Sequence, residues 1–174
     1  KRLLRFLGCD VTAIGDTPDG QFAHPPEPTA DNLADVCQQV VDAKAVVGFC
    51  QDPDADRLAI IDEQGRYVGE EYTVAICLNH VLQSREGPVV INCATSRMSE
   101  DLADRHGVAL LRSPVGEANV VEVMKRENAV FGGEGNGGPI DPRVGYIRDS
   151  FVGMALILDA MAARDVPVSQ LADE

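Results

Sequence analysis

Three carboxylates, Asp52, Asp54 and Asp56, stand two residues apart inside the stretch GFCQDPDADRLAIID that runs from Gly48 to Asp62. In a strand that spacing points the side chains the same way; in a tight loop it lets all three wrap one ion. Hard oxygen donors of this kind suit Mg²⁺ or Ca²⁺, whereas zinc favours His or Cys, and the loop has neither a His nor a convincing Cys partner. Like charges this close need a counter-ion, and Arg57, directly after the last Asp, supplies only one. A guanidinium beside a metal can clamp a phosphate whose other oxygens face the ion. A salt bridge inside the loop, or a solvated acidic turn with no ion, is the plainer use of the same residues. An EF-hand also begins D-x-D-x-D and would end at Glu63, but its sixth position must be Gly and is Arg57 here, and the flanks read as strands.

A second candidate lies near the end of the chain. VFGGEGNGGPI sets Glu134 and Asn136 among glycines that include Gly133. Glycines let backbone approach a ligand closely, Glu accepts hydrogen bonds from hydroxyls, and Asn both donates and accepts. The set suits a polyhydroxylated ligand such as a sugar; it lacks the Gly-Lys-Ser/Thr ending of a phosphate-binding P-loop. In NCATSRMSEDL, Thr95, Ser96 and Arg97 fall at a strand end, where α/β sheets bind ligands, and Arg97 is a candidate substrate contact. VGEANV, at 115–120, reads as a substrate loop or a helix start. His24, in a loop with Glu27, is a hydrogen-bond partner or a site residue, and His80 and His106 read as surface or capping residues. No Ser/His/Asp or Cys/His set stands out as a nucleophile.

The elements that must position these loops follow from hydrophobic periodicity. Leu3, Leu4 and Leu7 line a short first helix ended by Gly8, and CDVTAIG reads as a strand. A proline-rich loop leads to Thr29, a candidate N-cap for a helix over about 30–43 that presents Leu33, Val36, Cys37, Val40 and Val41 on one side. AVVGF is a buried strand running into the aspartates, LAIIDEQGRYV a strand, turn and strand, and EEYTVAICLNHVLQ an amphipathic helix. PVVINCA, VALLRS and AVFGG read as strands, with helices over MSEDLADRHG and EANVVEVMKREN between them. SFVGMALILDAMAARD closes as a helix capped by Asp149 or Ser150. The recurrence of strand, helix and strand predicts an α/β fold: two consecutive units with mixed, mostly parallel sheets flanked by helices. The division is set at residues 1–86 and 87–174; the first unit, with no strand before its first helix, reads as entered in mid-domain.

Composition narrows the function. Fifteen Lys and Arg against 28 Asp and Glu give a formal charge of -13, which leaves no cationic surface for nucleic acid or an anionic membrane. An anionic small substrate stays open, because a metal or a few local arginines inverts the sign of a pocket. The five cysteines are odd in number and widely spaced; they read as buried thiols in a reducing compartment, and the setting expected is cytoplasmic. No run approaches the length of a membrane span.

Four segments in order resemble the α-D-phosphohexomutase family of phosphoglucomutases, phosphomannomutases and phosphoglucosamine mutases. HPPEPTADNL is similar to the family's P-E-P-T-x-E-N-L segment, Asp52-Pro-Asp-Ala-Asp-Arg57 to its D-G-D-x-D-R magnesium loop, SPVGEANVVEVM to the third-domain T-x-V-G segment, and Gly133-Glu-Gly-Asn-Gly-Gly138 to its sugar loop G-E-x-[SN]-G-G. The resemblance implies that Asp52, Asp54 and Asp56 hold Mg²⁺, that Arg57 serves catalysis by positioning phosphate, and that Glu134 and Asn136 grip sugar hydroxyls. It implies reversible transfer between the 1- and 6-positions of a hexose phosphate: a phosphoserine donates its phosphoryl group, and a hexose 1,6-bisphosphate intermediate turns over in the site.

The departures from the pattern are informative. The family's serine loop, in its first domain, and its terminal phosphate-binding loop, in its fourth, have no counterpart in this sequence. The resemblance thus covers most of domain two and domain three, and the residues present are expected not to turn over substrate alone. Pro53 replaces a glycine in the metal loop, and Gly135 stands where many relatives carry a second Glu or a Met. The forms VGEANV and GEGNGG point to glucosamine phosphate. Alternatives are phosphomannomutase or phosphoglucomutase specificity, or a noncatalytic sugar-phosphate or metal-binding module. A haloacid-dehalogenase-like phosphatase would need D-x-D-x-T/V, whereas Asp56 is followed by Arg57 and then Leu58.

Overall fold

A computed structural model describes residues 1–22 and 25–174. Its two α/β units begin with α1 (Arg2–Phe6), a 3-10 turn over Asp31–Leu33 and α2 (Ala34–Asp42). Strands β1 (Val47–Gln51) and β2 (Leu58–Asp62) then pair antiparallel, with Gln51 opposite Leu58, so residues 52–57 form the loop that closes the hairpin. Side chains alternate between the two faces of β2. Ala59 and Ile61 pack with Leu33, Val36 and Val40, while Leu58 and Ile60 face the main core.

The second unit carries a four-stranded sheet in the order β4-β3-β5-β6. Strands β3 (Val89–Asn92), β4 (Leu110–Ser113) and β5 (Phe131–Glu134) run parallel, and β6 (Gly138–Ile140) turns back antiparallel to β5. The crossover helices are α4 (Met98–His106) and α5 (Glu117–Glu127), and the chain continues through α6 (Ser150–Arg164) and α7 (Val168–Asp173). Val89, Ile91 and Phe131 face α6, α7 and α3 (Glu70–Leu82), whereas Val90 and Ile140 meet Val120 and Met124 of α5. Helices thus cover both faces of the sheet, as a mostly parallel sheet requires. Helix α3 is buried from Thr73 to Leu78 and packs on α4, α6 and β2, which ties the hairpin to the sheet.

Several local expectations are corrected. CDVTAIG forms no strand; the Cys9 amide closes on Leu4 O at 3.0 Å, and without a neighbour to share its hydrogen bonds a strand has nothing to stabilise it. The hairpin of the first unit is antiparallel. Beyond Gly65 a second strand reduces to one bridge, Ile61 to Tyr67. Thr29 caps with its carbonyl, which accepts the Asn32 and Leu33 amides at 3.1 Å, and no side-chain cap forms. Asp149 does cap α6, accepting Phe151 N at 2.8 Å and Val152 N at 3.3 Å. Of the cysteines only Cys77 is buried: Cys9, Cys37 and Cys50 are partly exposed, and Cys93, past the end of β3, is exposed. The segment GPI, whose Gly and Pro read as loop, forms β6, because an edge strand tolerates the missing Pro139 donor. Among the described residues no helix is long and apolar enough to cross a membrane.

Candidate functional site

The hairpin loop is built around Asp52. Its carboxylate is 5% exposed and accepts the Arg57 amide at 3.1 Å and Arg57 Nε at 2.8 Å. Ala55 takes a left-handed turn (φ 61°), an unfavourable conformation for a residue with a Cβ. The start of α6 holds it there: Ser150 Oγ donates to Ala55 O at 2.6 Å and accepts Gln51 Nε2 at 2.6 Å. Folded this way, Asp52, Asp54 and Asp56 present carboxylate oxygens within 4.8 Å of one another.

Electrostatics at the loop ask for a cation. Burial pushes Asp56 up to about 6; Arg148 opposes the shift, while Asp52 and Asp54 reinforce it. Burial also acts to raise Asp52, but hydrogen bonds from the Arg57 side chain and amide outweigh it and hold that carboxyl below its ordinary value. A cluster of hard oxygen donors with surplus negative charge fits a divalent ion such as Mg²⁺. Arg57 does not offset all of that charge. Its guanidinium is shared between Asp52 and Glu27, with NH2 to Glu27 Oε2 at 3.1 Å and NH1 also on Glu27, and Asp56 lies 3.7 Å from Nε. The salt bridge inside the loop is therefore present. Glu27 comes from the proline-rich segment, which the Tyr67 hydroxyl anchors by donating to Pro28 O at 2.8 Å. His24, singled out beside it in the sequence, lies outside the described residues.

The glycine-rich turn between β5 and β6 abuts this loop. Leu58 N donates to Gly137 O at 3.0 Å, Gly137 has φ 87°, and a Cβ there would collide with the Leu58 backbone. Only glycine allows the two loops to touch in this way. Glu134, 3% exposed at the end of β5, accepts Asn92 Nδ2 at 2.6 Å and Gly116 N at 2.8 Å and pairs with Arg148 NH1 at 2.9 Å. Asn92 ends β3 and organises the turn after it: its Oδ1 accepts Thr95 N at 2.9 Å and Thr95 Oγ1 at 2.8 Å, and Gly135 N donates to Thr95 Oγ1 at 2.9 Å. The site thus sits at the carboxyl ends of the parallel strands, where α/β sheets bind ligands. With its amide oriented to satisfy both ends, Asn136 accepts Arg148 NH1 at 2.7 Å and donates to Glu134 O at 3.3 Å.

Arg148 is the residue that sequence reasoning missed. Its side chain, 17% exposed, reaches Asp56 in the first loop, Glu134 in the second and Glu117 Oε2 on α5 at 3.4 Å. Its amide also donates to Glu117 Oε2, at 3.0 Å. In sequence it is one arginine before a helix cap, and nothing local marks it. Glu27 was more accessible, because it lies inside the PEPT segment already singled out. Arg97 is placed differently from the others. Its side chain is 82% exposed at the start of α4, it pairs with Glu100 at 3.6 Å and Asp101 at 3.9 Å, and it does not line the cleft.

That cleft, of about 610 Å³, is bounded by residues 67–72, Asn92, Ala94, Val115, Glu134, Gly135 and Asn136. Burial pushes Glu70, on its wall, up to about 7; Arg57 opposes the shift, and Glu27, Asp52 and Glu71 add to it.

Comparison with known proteins gives matches along the chain. Residues 69–174 match the family description "Phosphoglucomutase/phosphomannomutase, alpha/beta/alpha domain III", and residues 1–65 match the corresponding domain II. A phosphoglucomutase/phosphomannomutase of Thermococcus kodakarensis is 37% identical over 174 residues, which is 99% of this chain and 38% of that protein. A phosphoglucosamine mutase of Nitratidesulfovibrio vulgaris is 34% identical over 98% of this chain and 38% of its own length. The crystal structure of a phosphoglucomutase/phosphomannomutase family protein from Burkholderia thailandensis shares the fold, with a TM-score of 0.88 at 24% identity over 98% of this chain and 38% of that one. The chain therefore spans less than two fifths of the length of these relatives.

Proposed function

The chain belongs to the phosphoglucomutase/phosphomannomutase family, and on that premise we propose that its parent polypeptide is a Mg²⁺-dependent mutase that interconverts hexose 6-phosphate and hexose 1-phosphate. One observation carries the proposal: the aspartate loop and the glycine-rich loop touch, Arg148 bridges them, and the glycine-rich loop itself lines a cleft of about 610 Å³. In this reading Asp52, Asp54 and Asp56 hold the ion, which when bound offsets charge on the phosphoryl group in transfer. Arg57, kept in place by Asp52 and Glu27, orients a phosphate beside them. Gly133, Glu134 and Asn136 are the proposed substrate contacts. Three donors hold the Glu134 carboxylate, so it is preorganised and keeps about one lone pair, on Oε2, for a sugar hydroxyl.

The preferred substrate is glucosamine phosphate. The motif forms VGEANV and GEGNGG support this, as do relatives named phosphoglucosamine mutase. Transfer through a phosphoserine and a bisphosphorylated intermediate, lack of turnover by these 174 residues alone and a cytoplasmic setting belong to the same proposal, on the resemblance and the composition. The test is a titration of ¹⁵N-labelled chain, first with Mg²⁺ and then with glucosamine 6-phosphate, with glucose and mannose 6-phosphates as comparators. Amide shifts confined to 50–58 with the ion, followed by shifts at 133–138 with the sugar, are expected. Silence at both loops refutes the assignment.

A further inference from the structure

We propose that Glu71 is a specificity-determining residue of the cleft, its carboxylate receiving the protonated amine of a 2-amino-2-deoxyhexose phosphate. The inference rests on the sugar-phosphate function proposed above and names the group that would select the amino sugar.

The first observation is steric. Gly135 lies between the two proposed sugar contacts, Glu134 and Asn136, and a Cβ built on it would collide with the Glu71 carboxylate, lying 2.5 Å from its carbon and 2.6 Å from Oε2. A side chain of α3, remote in sequence, therefore occupies the place that residue 135 leaves empty and becomes part of the sugar loop. Ser96 N donates to Glu71 Oε2 at 3.2 Å and holds it there.

Charge is the second observation. The residues lining the cleft include Glu70, Glu71 and Glu134 but no Lys or Arg. Glu134 is met by Arg148 at 2.9 Å, whereas among the described residues Glu71 forms no ion pair. Nearby, Glu70 Oε1 is buried with no hydrogen-bond partner. A hexose phosphate without an amine brings only more negative charge to this wall. A 2-amino sugar brings a cation and three N–H donors, so Glu71 gains a charge-assisted hydrogen bond beside the one from Ser96 N. Acetylation of the amine would remove both gains.

The experiment measures affinities of the chain, at saturating Mg²⁺, for glucosamine 6-phosphate and glucose 6-phosphate, in wild type, Glu71→Gln and Gly135→Ala. The expected wild-type preference for the amino sugar is about tenfold, the effect of one hydrogen bond to a charged group. E71Q should bring the ratio close to one, chiefly by weakening glucosamine 6-phosphate. G135A, which drives an intact Glu71 carboxylate from its place, should do the same. Equal wild-type affinities, or an unchanged ratio in E71Q, overturn the role of Glu71 and leave the sugar-phosphate function standing. If neither sugar phosphate binds, the proposed function falls and this inference falls with it.

Discussion

Replacing Arg148 with Met keeps much of the apolar stem and removes the guanidinium that joins the two loops. The cost depends on the contacts each partner retains. Glu134 loses a 2.9 Å ion pair but keeps hydrogen bonds from Asn92 and Gly116, so its share is about 1 kcal/mol. Among the described residues Asp56 keeps an ion pair only with Arg57, at 3.7 Å, and remains largely shielded from water; its share is about 1–2 kcal/mol, below the 3–5 kcal/mol of a fully buried broken pair. Glu117, at 3.4 Å and more exposed, adds little. R148M should therefore lose about 2–3 kcal/mol, a large part of the stability of an ordinary domain. Urea unfolding followed by far-ultraviolet circular dichroism measures it, since the chain has no Trp. A divalent ion on the aspartates would neutralise Asp56, so saturating Mg²⁺ should stabilise R148M about 1 kcal/mol more than it stabilises wild type. A loss below about 0.5 kcal/mol, with identical Mg²⁺ responses, would show that the bridge is a surface contact and refute the reasoning.

Two further perturbations test the cleft wall and the loop junction. Glu70 has its pKa raised to about 7 in the folded chain, so the native state binds more protons than the unfolded chain, and its contribution, complete below the unfolded carboxylate range, is lost as pH rises toward 7. Partial solvent access limits the effect: Glu70→Gln should gain about 1 kcal/mol at pH 8 relative to wild type and nothing at pH 4, measured by urea midpoints, and a pH-independent difference would contradict the assignment. Gly137→Ala places a Cβ against the Leu58 backbone at positive φ, which should cost about 2–4 kcal/mol and broaden amide signals in both loops; a variant as stable as wild type would mean that the loops are not in contact.

The division between sequence and tertiary structure can be traced residue by residue. Spacing alone marked Asp52, Asp54 and Asp56 as able to share an ion, and the structure brings their oxygens within 4.8 Å, because a hairpin loop is local. Helices and parallel strands over residues 87–134 were likewise legible, since periodicity reports which face of an element is buried. The strand expected at 9–15 failed and β6 was overlooked for one reason: a strand exists only where a partner supplies hydrogen bonds, and residues distant in sequence decide that.

At the candidate site the same limit holds. Composition and motif made the two loops visible but not their contact through Gly137 and Leu58, nor the carboxylate of Glu71 seated beside Gly135. Arg148 has no signature of its own. It matters because the fold sets one guanidinium among Asp56, Glu117 and Glu134, which lie on three different elements. Side-chain types and short spacings are properties of the chain itself, whereas a charge partner or a filled gap depends on packing between distant segments.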